Sequence, residues 1–318
     1  MPKSNEYWRK REQTHIKKMI KGDKVIAKKL AANQKVAMND IQLQIDAFYG
    51  RFATTEGITM AEARKRVGRL DIDAYAVKAK RYVKGAHSGN ETVKAMSFTQ
   101  RANEEMRIYN VTMKINRLEL LKANINLELV AMSSAEERLL LESFAKSARA
   151  EYERQAGILG RTLNYNEKSL TSIVNSSFLT ATWSDRLWNN QDALRSEINK
   201  LLNRGIVQGQ NPRKLARELQ KKFDASISNS ERLMRTEMAV VQTEVQKDSF
   251  FQLEIDSYEY IAEPTACDVC AKLDGKIFKL EDMEIGMNAP VMHPHCMCST
   301  AAAMNREEWE ADLTRRGL

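Results

Sequence analysis

No proline occurs between Lys3 and Asn211, and this constrains the fold more than any other feature of the chain. Strand-rich and loop-rich folds turn often, and they place proline and glycine at those turns. Here the whole chain of 318 residues has 5 prolines and 13 glycines. A mainly α-helical body is therefore expected over the first two thirds. No stretch of 18 or more apolar residues occurs, so no ordinary membrane span is expected. The start, Met1 to Lys10, has no apolar signal-like segment, and a secretory route is not expected.

Charge is spread unevenly. Residues 1–100 carry 21 Lys and Arg against 10 Asp and Glu, whereas the remainder carries 29 against 32. A basic first third suggests contact with a polyanion, through Lys18, Lys21, Lys24, Lys28 and Lys29 as the candidate residues. The plainer reading is a solvated helix face, since these lysines fall near helical spacing. Aromatic residues are too sparse there for a base-stacking platform, so only sequence-independent phosphate contact, as to DNA, is expected.

Three segments are expected along the chain: a basic helical arm at 1–100, an antiparallel helix hairpin at 101–163, and a distinct module at 164–318. A helix is predicted from about Asn5 to Phe48, a capping box at Thr59–Glu62, and a loop at 85–90. Ile108, Val111, Ile115, Leu118, Ile125, Leu129 and Met132 repeat at helical intervals. A break at Met132-Ser133-Ser134, with Ser134 capping a second helix that carries Leu141, Phe144, Ala148 and Tyr152, makes the hairpin. Further helices are expected from Trp183, from Asn211-Pro212, and from Ser230 to Leu253. The period changes only after residue 255, where 257–261 and 276–280 read as short strands. The fold class is mainly α, with a small α+β zinc-binding carboxyl-terminal module.

All four cysteines, Cys267, Cys270, Cys296 and Cys298, lie in one 32-residue window with His293 and His295. A Cys-x-x-Cys knuckle directs two thiolates at one ion, and a second close-spaced pair about twenty residues on completes a tetrahedral zinc site. Cys267 and Cys270 are the firm ligands. His293 with Cys296 is preferred for the other two places, and Cys296 with Cys298 is the alternative. His295 is expected to point away. Disulfides, a redox pair and plain packing are the competing readings. A sulfur-rich site with four protein ligands has no open position for water, so structural Zn2+ is expected in place of hydrolytic metal. No His-Glu-x-x-His, phosphate loop or Gly-x-Ser-x-Gly occurs, and Arg235-Thr236-Glu237 reads as a brace for the zinc module. The chain is not expected to be an enzyme. A metal-dependent nuclease using Glu237 or Asp274 is the competing class.

The string Arg235-Thr236-Glu237, Cys267-Asp268-Val269-Cys270-Ala271-Lys272-Leu273-Asp274-Gly275-Lys276 and Asn288-Ala289-Pro290-Val291-Met292-His293-Pro294-His295-Cys296-Met297-Cys298 resembles the carboxyl-terminal module of phage-Mu F-like head morphogenesis proteins, the minor capsid proteins of tailed phages. Trp183-Ser184-Asp185-Arg186 and Gly209-x-Asn211-Pro212 are similar to that family too, so the likeness covers about 165–303. Val291 and Met297 depart from it, standing where the family often has proline and a basic residue. The resemblance implies a minor head component in the virion, at the head interior or portal vertex. It would be assembled in the host cytoplasm beside the portal protein and other capsid or scaffold proteins, and would assist packaging or ejection of the genome. With the chain stopping at Leu318, no fused effector is expected.

Overall fold

A computed structural model of the chain describes residues 4–53, 117–176, 180–207 and 210–303, together with the single positions 77 and 314. The predicted capping box at Thr59, the loop at 85–90, and Ile108, Val111 and Ile115 lie outside these described residues. The described part is mainly helical, with one small sheet near the carboxyl end. The helices are α1 (Ser4–Ala53), α2 (Arg117–Leu159), α3 (Glu167–Val174), α4 (Trp183–Val207), α5 (Pro212–Gln252) and the single turn α6 (Asp268–Ala271). Strands β1 (Ser257–Ile261), β2 (Ile277–Lys279) and β3 (Ser299–Ala302) form an antiparallel sheet in the order β2-β1-β3. Pairs Tyr258↔Phe278 and Tyr260↔Thr300 fix its register. No described helix is long and apolar enough to cross a membrane.

Local chemistry sets several boundaries. Leu159 ends α2 because Gly160 adopts φ +62°, a left-handed conformation that glycine takes without Cβ strain. Asn211 opens α5 by accepting the Arg213 backbone N–H at 2.9 Å, with Pro212 at the first helical position. The side chain of Asn166 caps α3 in the same way, in a reciprocal box with Ser169.

Two expected breaks are absent. The hairpin predicted within 101–163 is instead the single helix α2, which runs through Met132-Ser133-Ser134. Both serines are almost wholly buried, and Asn33 Nδ2 donates to the Met132 carbonyl at 2.9 Å. Small polar residues that can cap a helix also fit inside one where a neighbouring element packs closely. Glu137, three residues after Ser134, accepts from Ser184 Oγ at 2.5 Å and Trp188 Nε1 at 3.2 Å. Likewise the helices expected at Asn211 and Ser230 are one helix, α5, because Ser230 Oγ is bonded to Gln34 and Glu136 and no glycine or proline intervenes. The buried stripe of α2 uses Leu140, Phe144, Ala148 and Tyr152; Leu141, assigned to it from the sequence, is exposed.

The chain forms two compact units, each built from separated stretches. One comprises Met1–Ala27, Leu141–Trp183 and Glu231–Leu318; the other comprises Lys28–Leu140 and Ser184–Ser230. The second unit has an aliphatic core in which Ile41, Ile45 and Phe48 of α1 meet Ile125 and Leu129 of α2, Ile198 and Leu202 of α4, and Leu215 and Phe223 of α5. The first unit contains the sheet and every cysteine. It packs Ile16 of α1 on Ile261 and Ala301, and Ala239 and Val240 of α5 on Tyr260 and Val291. Beneath them lies a buried polar network. Arg154 Nη1 donates to Glu12 Oε1 at 2.5 Å and Nη2 to Glu151 Oε1 at 2.7 Å, while Ser299 Oγ donates to Glu12 Oε2 at 3.0 Å. His15 lies 3.4 Å from Glu151, yet burial and the Arg154 charge lower its pKa to about 4, so the imidazole is neutral.

Candidate metal centre

Strand β1 and the segments on either side of β2 and before β3 bring the cysteines together. Cys267 precedes α6 in extended conformation, and its carbonyl accepts from Ala271 N at 2.8 Å. One helical turn thereby sets Cys267 and Cys270 on the same side. The chain then returns through Gly275, whose N–H donates to the Tyr260 carbonyl at 2.8 Å. Gly275 has φ +76°, and a Cβ there would lie 3.1 Å from Arg9 Nη2. The second arm makes its own turn, with Cys296 N donating to His293 O at 3.1 Å and His295 at φ +65°. Thr236 Oγ1 of α5 accepts the His295 backbone N–H at 3.3 Å, so the Arg235-Thr236-Glu237 element touches this arm directly.

The two arms converge. Cys267 Sγ and Cys270 Sγ lie 3.2 and 3.3 Å from His293 Nε2, and Cys270 Sγ lies 3.8 Å from Cys296 Sγ. Ligating atoms of Cys267, Cys270 and His293 lie within 4.8 Å of one another, and so do those of Cys270, Cys296 and Cys298. Cys270 belongs to both groups. A tetrahedral zinc with its ordinary bond lengths spaces two sulfurs by about 3.8 Å and sulfur from imidazole nitrogen by about 3.5 Å. The donors of each trio therefore suit such an ion in type, and the 3.2, 3.3 and 3.8 Å separations are close to its spacing. His293 Nδ1 lies 2.8 Å from the Pro294 carbonyl, the hydrogen bond that leaves Nε2 as the nitrogen facing the sulfurs. His295 is exposed and faces Arg235, Glu231 and Arg232 of α5.

Electrostatics differentiate the thiols. Backbone N–H groups of Cys270 and Val269 hold the Cys267 thiol below its ordinary value. Burial pushes Cys270 up to about 12. A hydrogen bond from Cys298 leads the causes that lower Cys296 to about 5, and the same bond raises Cys298. Three sulfurs and one imidazole can hold a soft divalent ion, and four such ligands leave no coordination position for a substrate.

The carboxylates considered for metal chemistry stand elsewhere or are engaged. Asp274 Oδ2 accepts from Arg9 Nη1 at 2.7 Å, and its Oδ1 accepts from Ala262 N at 2.8 Å. Glu237 is buried, and neither carboxylate is in a potential metal group among the described residues. Lys18, Lys21, Lys24, Lys28 and Lys29 are all exposed on α1, on the side roughly opposite its buried stripe of Glu12, Ile16, Asp23 and Leu30.

Two features of the site escaped the sequence reading. Strand β3 follows directly on Cys298, but Ser299-Thr300-Ala301-Ala302 lacks the bulky alternation that marks a strand. Tyr260 is fully buried against Cys270, Cys296 and Cys298, and burial with the Cys296 charge drives its phenol far above the ordinary range. Its place in an alternating strand was visible; its neighbours were not.

No curated protein and no solved structure matched the chain. Residues 196–301 match the family described as Phage Mu protein F like protein. That stretch contains α5, the sheet up to Ala301, and both arms of the cysteine and histidine cluster. Over residues 196–301, then, the chain is similar to the Phage Mu protein F like family.

Proposed function

We propose that this protein is a minor head component of a tailed phage, which binds the portal and neighbouring capsid proteins during assembly and performs no chemistry of its own. The observation that carries this reading is the coincidence of the family match with a sulfur-and-imidazole cluster in the matched stretch. Zn2+ held by Cys267, Cys270, His293 and Cys296 would tie the knuckle arm to the β3 arm, and Cys298 would hydrogen-bond to Cys296. A metal held this way contributes its binding free energy to folding. A non-catalytic role is supported by the sulfur-rich donor types, which suit a structural ion, and by the engagement of Asp274 with Arg9.

Co-expression with a tailed-phage portal protein tests the reading. The two should co-purify, and phage lacking this protein should yield defective heads or particles that fail to deliver DNA. Normal, infectious particles in its absence would overturn it. Metal-dependent cleavage of plasmid DNA by the purified protein would favour the nuclease class.

The exposed lysines of α1 support sequence-independent contact with packaged DNA. Neutralising five phosphates would give a log–log salt slope of about −4.5. Replacing Lys18, Lys21, Lys24, Lys28 and Lys29 by glutamine should remove most of that slope, and an unchanged slope would rule these residues out.

A further inference from the structure

We infer that Tyr260 is a positioning residue of the metal centre, its hydroxyl donating a hydrogen bond to the thiolate of Cys270. The inference rests on the metal reading above. Tyr260 is fully buried on the central strand of the sheet, and its hydroxyl oxygen has no hydrogen-bond partner among the described residues. A buried O–H without an acceptor costs on the order of 1–3 kcal/mol, so native structures nearly always supply one. The sulfurs of Cys270, Cys296 and Cys298 lie around this hydroxyl, and Ala239, Val240 and Val291 belong to the same buried cluster.

A neutral thiol is a weak acceptor, whereas a thiolate fixed by a metal ion is a strong one. The surroundings of Tyr260 thus offer a good acceptor in the ligated form of the cluster. Cys270 is the thiolate of choice because it is shared by both groups of potential ligands and packs in the same buried cluster as Tyr260. A phenol ordinarily titrates at about pH 10. The donor therefore persists across the physiological range. Its strand is anchored on both sides: Tyr260 N donates to Lys276 O at 2.9 Å, and β3 pairs Thr300 opposite. An outer-shell donor held by a central strand restrains the sulfur lone pairs, and loss of such a partner typically weakens metal binding 10–100-fold.

The test compares full-length wild type with Tyr260→Phe, a change that removes only the hydroxyl. Zinc affinity is read by competition with a chromophoric chelator, and the cobalt-substituted proteins are compared through their thiolate-to-cobalt charge-transfer bands. We expect one zinc per chain in both, at least about tenfold weaker binding in Tyr260→Phe, and a shifted charge-transfer band. Circular dichroism of both proteins guards against a folding artefact, and Tyr260→Leu, which also removes the ring, should bind still more weakly. Equal zinc affinity and an identical band in Tyr260→Phe would overturn the role of Tyr260 while leaving the metal centre standing. A wild-type protein that takes up no zinc or cobalt would overturn both.

Discussion

Glu12 accepts a hydrogen bond from Ser299 Oγ at 3.0 Å, joining two residues 287 positions apart in the chain. The same carboxylate takes a bond from Arg154, so α1, α2 and β3 meet at one buried ionic junction. Gln246 of α5 completes it, donating to Glu151 and Ser299 and accepting from Thr300. Removal of the shared cation should be severe. Arg154→Met leaves two buried carboxylates facing each other, and such uncompensated pairs cost about 3–5 kcal/mol. Urea unfolding should register a loss of that order, while Arg154→Lys, which keeps charge without the forked geometry, should lose less.

Metal removal should act locally and strongly. If zinc closes the two arms, saturation at about a thousandfold above Kd contributes roughly 4 kcal/mol. A chelator should then lower the thermal midpoint and expose residues 264–302 to protease, and Cys270→Ser should do the same without chelator. A melt insensitive to both treatments would refute the structural ion.

The knuckle arm also holds the first turns of α1. Arg9 bridges Asp274 and Glu259 at 2.7 and 3.2 Å, with its side chain only partly exposed. Arg9→Ala should speed hydrogen exchange over the first turns of α1 and cost about 1 kcal/mol, the upper range for an ion pair in contact with solvent. Gly275→Ala should reproduce that local loosening, since it forces φ +76° on a residue with a Cβ and crowds the guanidinium. Unaltered exchange in both variants would show that the bridge contributes nothing.

Stability should fall with rising pH through one buried carboxyl. Glu136 takes hydrogen bonds from Gln34 and Ser230, but burial dominates and lifts its pKa to about 7. A carboxyl raised on folding stabilises fully below its unfolded value near 4.5, and that contribution is lost as pH climbs through 7. The difference in unfolding free energy between wild type and Glu136→Gln should change by on the order of 3 kcal/mol from pH 4 to pH 8, with the variant favoured at the alkaline end. A difference that stays flat with pH would mean the carboxyl is hydrated.

Much of this was legible in the residues because it depends on near neighbours. The scarcity of proline, the Asn211-Pro212 start, the Gly160 stop and strand β1 are local matters, as is the pairing of Cys267 with Cys270 within one turn. What remained hidden depends on remote partners. Ser133, Ser134 and Ser230 read as breaks because serine favours caps, yet each sits buried inside a helix, and Ser230 is bonded to side chains roughly a hundred or more positions away. The same limit applies to Glu12, Arg154 and Tyr260, whose residue types predict solvent or ordinary packing.

The junction of Glu12 with Ser299 also sets an order of events during biosynthesis. At a synthesis rate of about 5–20 residues per second, α1 leaves the ribosome tens of seconds before β3 exists. Throughout that interval the amino-terminal helix has neither the strand nor the knuckle that it later rests on. It must wait as an unsatisfied, charged segment available to chaperones or to other nascent chains, and closure of this unit is necessarily one of the last steps in making the protein.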